Sequence, residues 1–411
     1  MSSYDGQDHE FVHLAVNVLS EGTLPQAWLG ERGVGADIVA PDFWESVARS
    51  AEEGGLDALF LADHSYLIDP THGVLLSPLD VSLVWARVAA VTERIGLVTT
   101  ASTTYNDPVE IAERIASLHY VSGGRATWNA VTSFGDGAAG NYGLDDILDR
   151  SDRYARAEEF IAVVRAVWDS AASGEAYRRH GQWFDVDGLS DVALPAGGLP
   201  GIYQAGGSAE GKGLAGRTAS GVFSAAASVE DGRRNRSEVR AHARDTGRDP
   251  DDVLILPGLS LTLADTEAEA RARVDEFYDR AAIDPGEGLL SLFFGTDDAA
   301  DIDLDRPFPP SVLESAAGER FRGSVGFRDA LLTQINAGSL TVREFLRQTR
   351  YTGSGHATFV GTPEQLVDRI EAWFRGGAAD GFVLMPGVVV DELEILAAEV
   401  IPRLRARGLS A

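Results

Sequence analysis

Cysteine is absent from all 411 residues, which excludes a disulfide framework, a thiolate metal centre and a cysteine nucleophile. Lysine is almost absent too: Lys212 is the only one, so nearly every cation is an arginine. No apolar run approaches the roughly 18 residues that a membrane-spanning helix needs. Residues 1–10 are polar and acidic without an apolar core, so no secretory signal is visible and a cytoplasmic protein is expected. Basic charge is short as well, 35 Lys and Arg against 63 Asp and Glu, a net charge of −28. Such a field repels nucleic acid and anionic lipid at long range. Any phosphate has to be held by a local device, either backbone N–H groups or a placed arginine. With 44% hydrophobic and 24% charged residues, the chain has ample material for a packed core and is not disordered.

What is present is a repeating unit of short apolar run, polar turn and helical pattern. Candidate strands fall at 11–18, 56–62, 95–100, 126–132, 201–205, 221–226, 253–264 and 381–385. Helical spacing fits 42–53, 79–92, 106–121 and 150–173. Asp42 is placed to cap the first of these and Pro108 to open the third. The apolar runs lack period-two alternation, which indicates strands buried on both faces, as in parallel sheets. About eight such units predict an α/β fold, a (β/α)8 TIM barrel with insertions spanning 1–411 as one domain. An open doubly wound sheet is the second reading. Segment 181–200, rich in Gly, Asp and Pro, reads as a loop insertion. Segment 284–323, acidic and bearing Pro307, Pro309 and Pro310, reads as an insertion and candidate lid.

Polar residues gather just after the strands: Asp63-His64, Ser102 to Tyr105, Asn129 to Ser133 and Gly206-Gly207-Ser208. In a parallel barrel all of these reach the C-terminal rim, where active sites sit. Turn chemistry accounts for any one cluster alone; their recurrence on one rim favours a site. The Gly-rich segment 204–213 follows a strand and precedes a helix, so its N–H groups are placed to converge on a phosphate. Gly206 to Lys212 also spells Gly-x4-Gly-Lys, but Gly213 stands where a nucleotide triphosphate loop has Ser or Thr for magnesium. No His-x3-His or His-Glu-x2-His pattern supports a zinc hydrolase, and no Gly-x-Ser-x-Gly elbow supports an α/β-hydrolase. His64 and His356 are the two histidines that loop position offers as substrate contacts and as candidates for proton transfer, with nothing to prefer either as a general base. Trp128 and Trp168 read as core.

Longer motifs carry a resemblance. Tyr105-Asn106-Asp107-Pro108, then Ser122-Gly123-Gly124-Arg125-Ala126-Thr127-Trp128-Asn129-Ala130-Val131-Thr132-Ser133, Asp152-Arg153-Tyr154-Ala155-Arg156, Gln204-Ala205-Gly206-Gly207-Ser208 and Ala378-Ala379-Asp380-Gly381-Phe382 resemble the luciferase-like flavin monooxygenases. They sit nearest the nitrilotriacetate monooxygenase group, which includes EDTA, dimethyl sulfide and dibenzothiophene-sulfone monooxygenases. The resemblance covers roughly residues 11–408. It implies a TIM barrel that takes reduced FMN from a separate NAD(P)H:flavin reductase and, through a flavin hydroperoxide formed with O2, oxygenates a small organic substrate. By motif position Asp63, Thr103, Asn129, Thr132, Tyr154 and Ser208 would line the flavin, with the Gly206-Gly207-Ser208 amides on its phosphate.

Arg150 stands where the family usually has a histidine four residues before the tyrosine, and an arginine there is suited to bidentate phosphate binding. No metal is called for, and a homo-oligomer is the default expectation. The same-fold alternative is a deazaflavin-dependent oxidoreductase; a non-catalytic flavin-binding protein and a nucleotide triphosphatase are the readings from other classes.

Overall fold

In the computed structural model, residues 11–24, 27, 38–63, 79–133, 136–281, 302–310, 325–337, 341–345 and 355–411 are described. His64 and most of segment 284–323 lie outside them, as does the region on which a lid would have to be argued.

The strands are β1 (His13–Asn17), β2 (Ala58–Leu61), β3 (Gly96–Ser102), β4 (Ala126–Val131), β7 (Gly201–Gln204), β8 (Gly221–Ser224), β9 (Leu254–Leu263) and β11 (Gly381–Pro386). They pair in that order, all parallel, and β11 returns to β1, so the sheet closes into an eight-stranded barrel. Between them run α1 (Pro41–Gly54), α2 (Val81–Ala89), α3 (Pro108–Val121), α4 (Arg150–Ser173), α5 (Ala209–Thr218), α6 (Val229–Asp245) and α7 (Glu267–Ala281). The TIM barrel is therefore the fold, and the open sheet is excluded by the β11–β1 pairing.

Three strands were not anticipated. β10 (Ala357–Gly361) pairs with Leu259–Leu263 of β9, whereas β8 pairs with Leu254–Pro257 of the same strand. β8 is short, so β10 takes over that edge of β9 toward the C-terminal rim. Segment 181–200 is only partly loop: β5 (Tyr177–His180) and β6 (Asp185–Gly188) form an antiparallel hairpin that opens it. The Glu159 carboxylate of α4 fixes the hairpin by accepting from the backbone N–H groups of Gln182, Trp183 and Phe184.

Local chemistry sets the helix starts. Asp107 accepts from Val109 and Glu110 N–H at 2.9 and 3.0 Å, with Pro108 at the first helical position. Asp80 caps α2 in the same way. The expected cap at Asp42 is not formed; α1 begins one residue earlier, at Pro41, after an Ala40 that offers no side chain. Two apolar layers hold the barrel. Trp44, Trp85, Leu97, Leu259 and Leu384 belong to the outer core under the helices, and Ala15, Phe60, Val98, Leu254, Leu256 and Val383 fill the lumen. Trp128 and Trp168 are core, as read, each donating its indole N–H to a carbonyl, of Ala101 and Ala112. No helix among the described residues is long and apolar enough to cross a membrane.

Candidate functional site

Strand order sets the C-terminal ends of β2, β3, β4 and β7 side by side, and these ends carry most of the candidate residues. Asp63 is exposed two residues beyond β2, Thr103 follows β3, Thr132 follows β4, and Gly206, Gly207 and Ser208 bridge β7 to α5. Trp128 and Ala130 pack in the outer core, so Asn129 between them faces the lumen. The Asn129 side-chain amide donates to Thr100 Oγ1 at 3.0 Å, while its Oδ1, fully buried, has no protein partner.

The rims of β3 and β4 are zipped together. The Thr103 N–H and hydroxyl both donate to the Val131 carbonyl, at 2.8 and 3.1 Å. The Thr104 hydroxyl donates to the Thr132 carbonyl at 2.7 Å, and the Ser102 and Ser133 hydroxyls meet at 2.8 Å. Ser133 adopts φ +53°, a conformation L residues seldom take, at the edge of this ledge.

The bend after β7 is built for close approach. Ser208 is the N-cap of α5, its Oγ accepting from Gly211 N–H at 3.1 Å, which leaves the hydroxyl proton to donate elsewhere. The first-turn N–H groups of a ten-residue helix converge here, the arrangement that receives anions. The Tyr154 hydroxyl stands against the same bend: a Cβ added at Gly211 or Gly206 would meet it at 3.0 or 3.3 Å. Arg150, half-buried in the first turn of α4, and Tyr154 lie four residues apart on one helix face. Arg153 lies near enough to interact electrostatically with both. Lys212 does not serve the bend, because its ammonium pairs with Glu238 of α6 at 2.6 Å, so the Gly-x4-Gly-Lys string does not form a triphosphate cradle.

Two contributors, Arg153 and Gly326, escaped the sequence reading. Arg153 is buried and donates to the Leu148 carbonyl at 2.5 Å; its place beside Tyr154 was the available signal. Gly211, already read as part of the Gly-rich turn, has a role that reading did not give it: it leaves room for the Tyr154 hydroxyl. Gly326, in the helix Val325–Ala337, packs backbone to backbone on Gly207: a Cβ on Gly207 would stand 2.5 Å from the Gly326 Cα. Nothing local in the sequence announces that contact. His356 lies apart from this ledge, preceding β10 across the barrel. It is buried, and loss of hydration holds its ring neutral, with a pKa drawn down to about 3.

Comparison with known proteins agrees with this geometry. The profile of the luciferase-like monooxygenase family matches residues 22–380. Nitrilotriacetate monooxygenase component A of Aminobacter aminovorans is 36% identical over 397 residues, covering 89% of this chain and 86% of that one. N-acetyl-S-(2-succino)cysteine monooxygenase of Bacillus subtilis is 35% identical over 387 residues, covering 90% and 86%. The structure of an EDTA monooxygenase from Chelativorans sp. BNC1 superposes with TM-score 0.80 at 32% identity, covering 98% of this chain and 95% of that one. With a closed parallel barrel, a polar ledge on its rim and this match over most of its length, the chain belongs to the luciferase-like monooxygenase family and is a flavin-dependent monooxygenase.

Proposed function

We propose that this chain is the oxygenase of a two-component system, using reduced FMN supplied by a separate NAD(P)H:flavin reductase, and O2, to oxygenate a small organic substrate. The observation that carries the reading is the bend at Gly206-Gly207-Ser208, where close backbone packing, a serine hydroxyl with its proton uncommitted by the cap and a helix N-terminus meet at one place. These features fit a monoester phosphate and need no metal. The buried Asn129 Oδ1 fits the N–H groups of a flavin ring edge in the same way. The "component A" designation of the nitrilotriacetate relative supports a separate reductase.

When bound, the reduced flavin supplies the electrons that activate O2; the chain supplies position and dryness. Ser208, the bend amides, Tyr154 and Arg150 hold the phosphate. Asn129 and Thr103 orient the ring from the β3–β4 ledge, with Thr132 and Asp63 at its outer margin. The apolar lumen residues beneath, Phe60 and Val98 among them, keep water from the reacting face. Among the described residues none on the ledge stands out as a general base, and none is needed to bind or orient the flavin.

Ser208→Ala removes one charge-assisted hydrogen bond and the α5 cap. Reduced-FMN affinity, read by anaerobic fluorescence titration, is expected to weaken by about 1–2 kcal/mol. Unchanged affinity would contradict the phosphate assignment.

A further inference from the structure

Neither the eight barrel strands nor β10 beside them contains Asp, Glu, Lys or Arg. The wall across from the flavin ledge, made by β1, β11, β9 and β10, is nonetheless polar. The registers align Met385 with Ser260 and Ser260 with Thr358 in one row, and Val383 with Gly258 in the row below. Val383 faces the lumen, while Leu259, Leu384 and Ala357 face the outer core, so Met385, Ser260 and Thr358 share the lumen face. Asn17, two residues beyond the lumen residue Ala15, joins them from β1. His356 leans over Gly258, whose missing Cβ would fall 2.4 Å from its Nδ1, and its ring stacks on Phe223 at 4.5 Å.

Four polar atoms of this wall are buried without a protein partner: Asn17 Oδ1, Ser260 Oγ, Thr358 Oγ1 and His356 Nδ1. Buried polar groups are nearly always hydrogen-bonded, so four on one wall mark a place where a ligand or its water belongs. The His356 ring is neutral and its other nitrogen bonds the Ser224 backbone, which leaves Nδ1 an acceptor. Of these four atoms two accept only and two both donate and accept, and none is charged. A carboxylate brought here would find no cation in the barrel strands and would enter against a net charge of −28.

We propose that this wall is the substrate-selecting surface and that it admits an uncharged molecule bearing amide or hydroxyl donors, excluding the polycarboxylates named for the nitrilotriacetate and EDTA relatives. The inference rests on the monooxygenase reading for the identity of the reaction, and on this wall alone for the selection.

Saturation-transfer NMR on the full chain, alone and with reduced FMN under anaerobic conditions, tests it with matched probes: succinamide against succinate, and the triamide of nitrilotriacetic acid against nitrilotriacetate. Amides are expected to bind, with carboxylates at least about tenfold weaker. Ser260→Ala combined with Thr358→Val, which keeps wall volume, is expected to weaken amide binding about fivefold to tenfold and leave reduced-FMN affinity unchanged. Carboxylates binding as well as amides, neither class binding, or the double variant binding amides like the parent, would each overturn the proposal. Failure of FMN to bind while amides still discriminate would instead sink the flavin reading and leave the wall standing.

Discussion

Asp380→Ala is expected to lower the stability of the barrel by about 2–4 kcal/mol, the cost of stranding a buried backbone amide and removing one carboxylate partner from a buried guanidinium. Asp380 is 2% exposed and lies immediately before β11. Its carboxylate accepts from Ile255 N–H at 2.8 Å, from Arg236 at 3.0 and 3.2 Å, and from Arg240 at 3.3 Å. Its backbone pairs with Ile255 and His13. The carboxylate therefore ties β9 and α6 to the start of β11, while the backbone of the same residue reaches β1, at the end of the barrel opposite the ledge. Removing it strands a buried amide and takes one of two carboxylate partners from Arg240, which is 8% exposed and keeps Asp251. Urea midpoints for the variant and the parent measure the effect; a loss under about 1 kcal/mol would show that the pair contributes little. Arg236→Met should cost less, because Arg236 is partly solvated and Arg240 keeps Asp380 paired.

The second large effect is hidden in the parent protein and appears in variants. His356 is held neutral by burial, its pKa drawn from 6.5 to about 3, so its unfolded form takes up a proton first as pH falls. Its contribution to stability is complete above pH 6.5 and is lost on acidification. Glu392, wholly buried and bonded to Val388 N–H at 2.6 Å, has its pKa pushed up from 4.5 to about 7 by the same loss of hydration, only partly offset by Arg273 at 3.5 Å. Its contribution is complete below pH 4.5 and is lost as pH rises to 7. From pH 6.5 to 5 each group moves stability by about 2 kcal/mol, in opposite directions. Glu392→Gln should make the protein lose about 2 kcal/mol more than the parent over that interval, and His356→Phe should make it lose about 2 kcal/mol less. Other groups titrate alike in all these proteins, so the comparison of urea midpoints with the parent isolates the two residues. Equal slopes in parent and variants would refute the compensation.

Sequence pattern revealed the barrel because its strands must be buried on both faces, which leaves continuous apolar runs such as Ala58 to Ala62 that no surface strand would show. The helix Arg150–Ser173 and the Asp107-Pro108 start were equally legible, being encoded by adjacent residues. β10 was not. Its five residues follow a long insertion and are strand only because the upper edge of β9 accepts them.

Family motifs also mixed two kinds of residue. In Arg125-Ala126-Thr127-Trp128-Asn129, Asn129 faces the lumen. Arg125 instead ties down backbone carbonyls of Ala89, Thr92 and Ile95, and Trp128 fills the outer core. Asp380, within another motif, is a fastening at the far end of the barrel. Residue type alone does not separate the two kinds; the direction a side chain faces does. The wall of Asn17, Ser260, Thr358 and His356 went unread because its members come from three strands and a connecting segment, and each alone is an ordinary buried polar residue.

The contact between Gly207 and Gly326 has an evolutionary consequence. A Cβ on either would strike the other's backbone, at 2.5 or 2.7 Å, and glycine is already the smallest residue. Neither partner can shrink to accommodate growth in the other, so no compensating exchange exists between them. Two positions far apart along the chain should therefore be frozen together in descendants of this protein, while neighbours on either side drift.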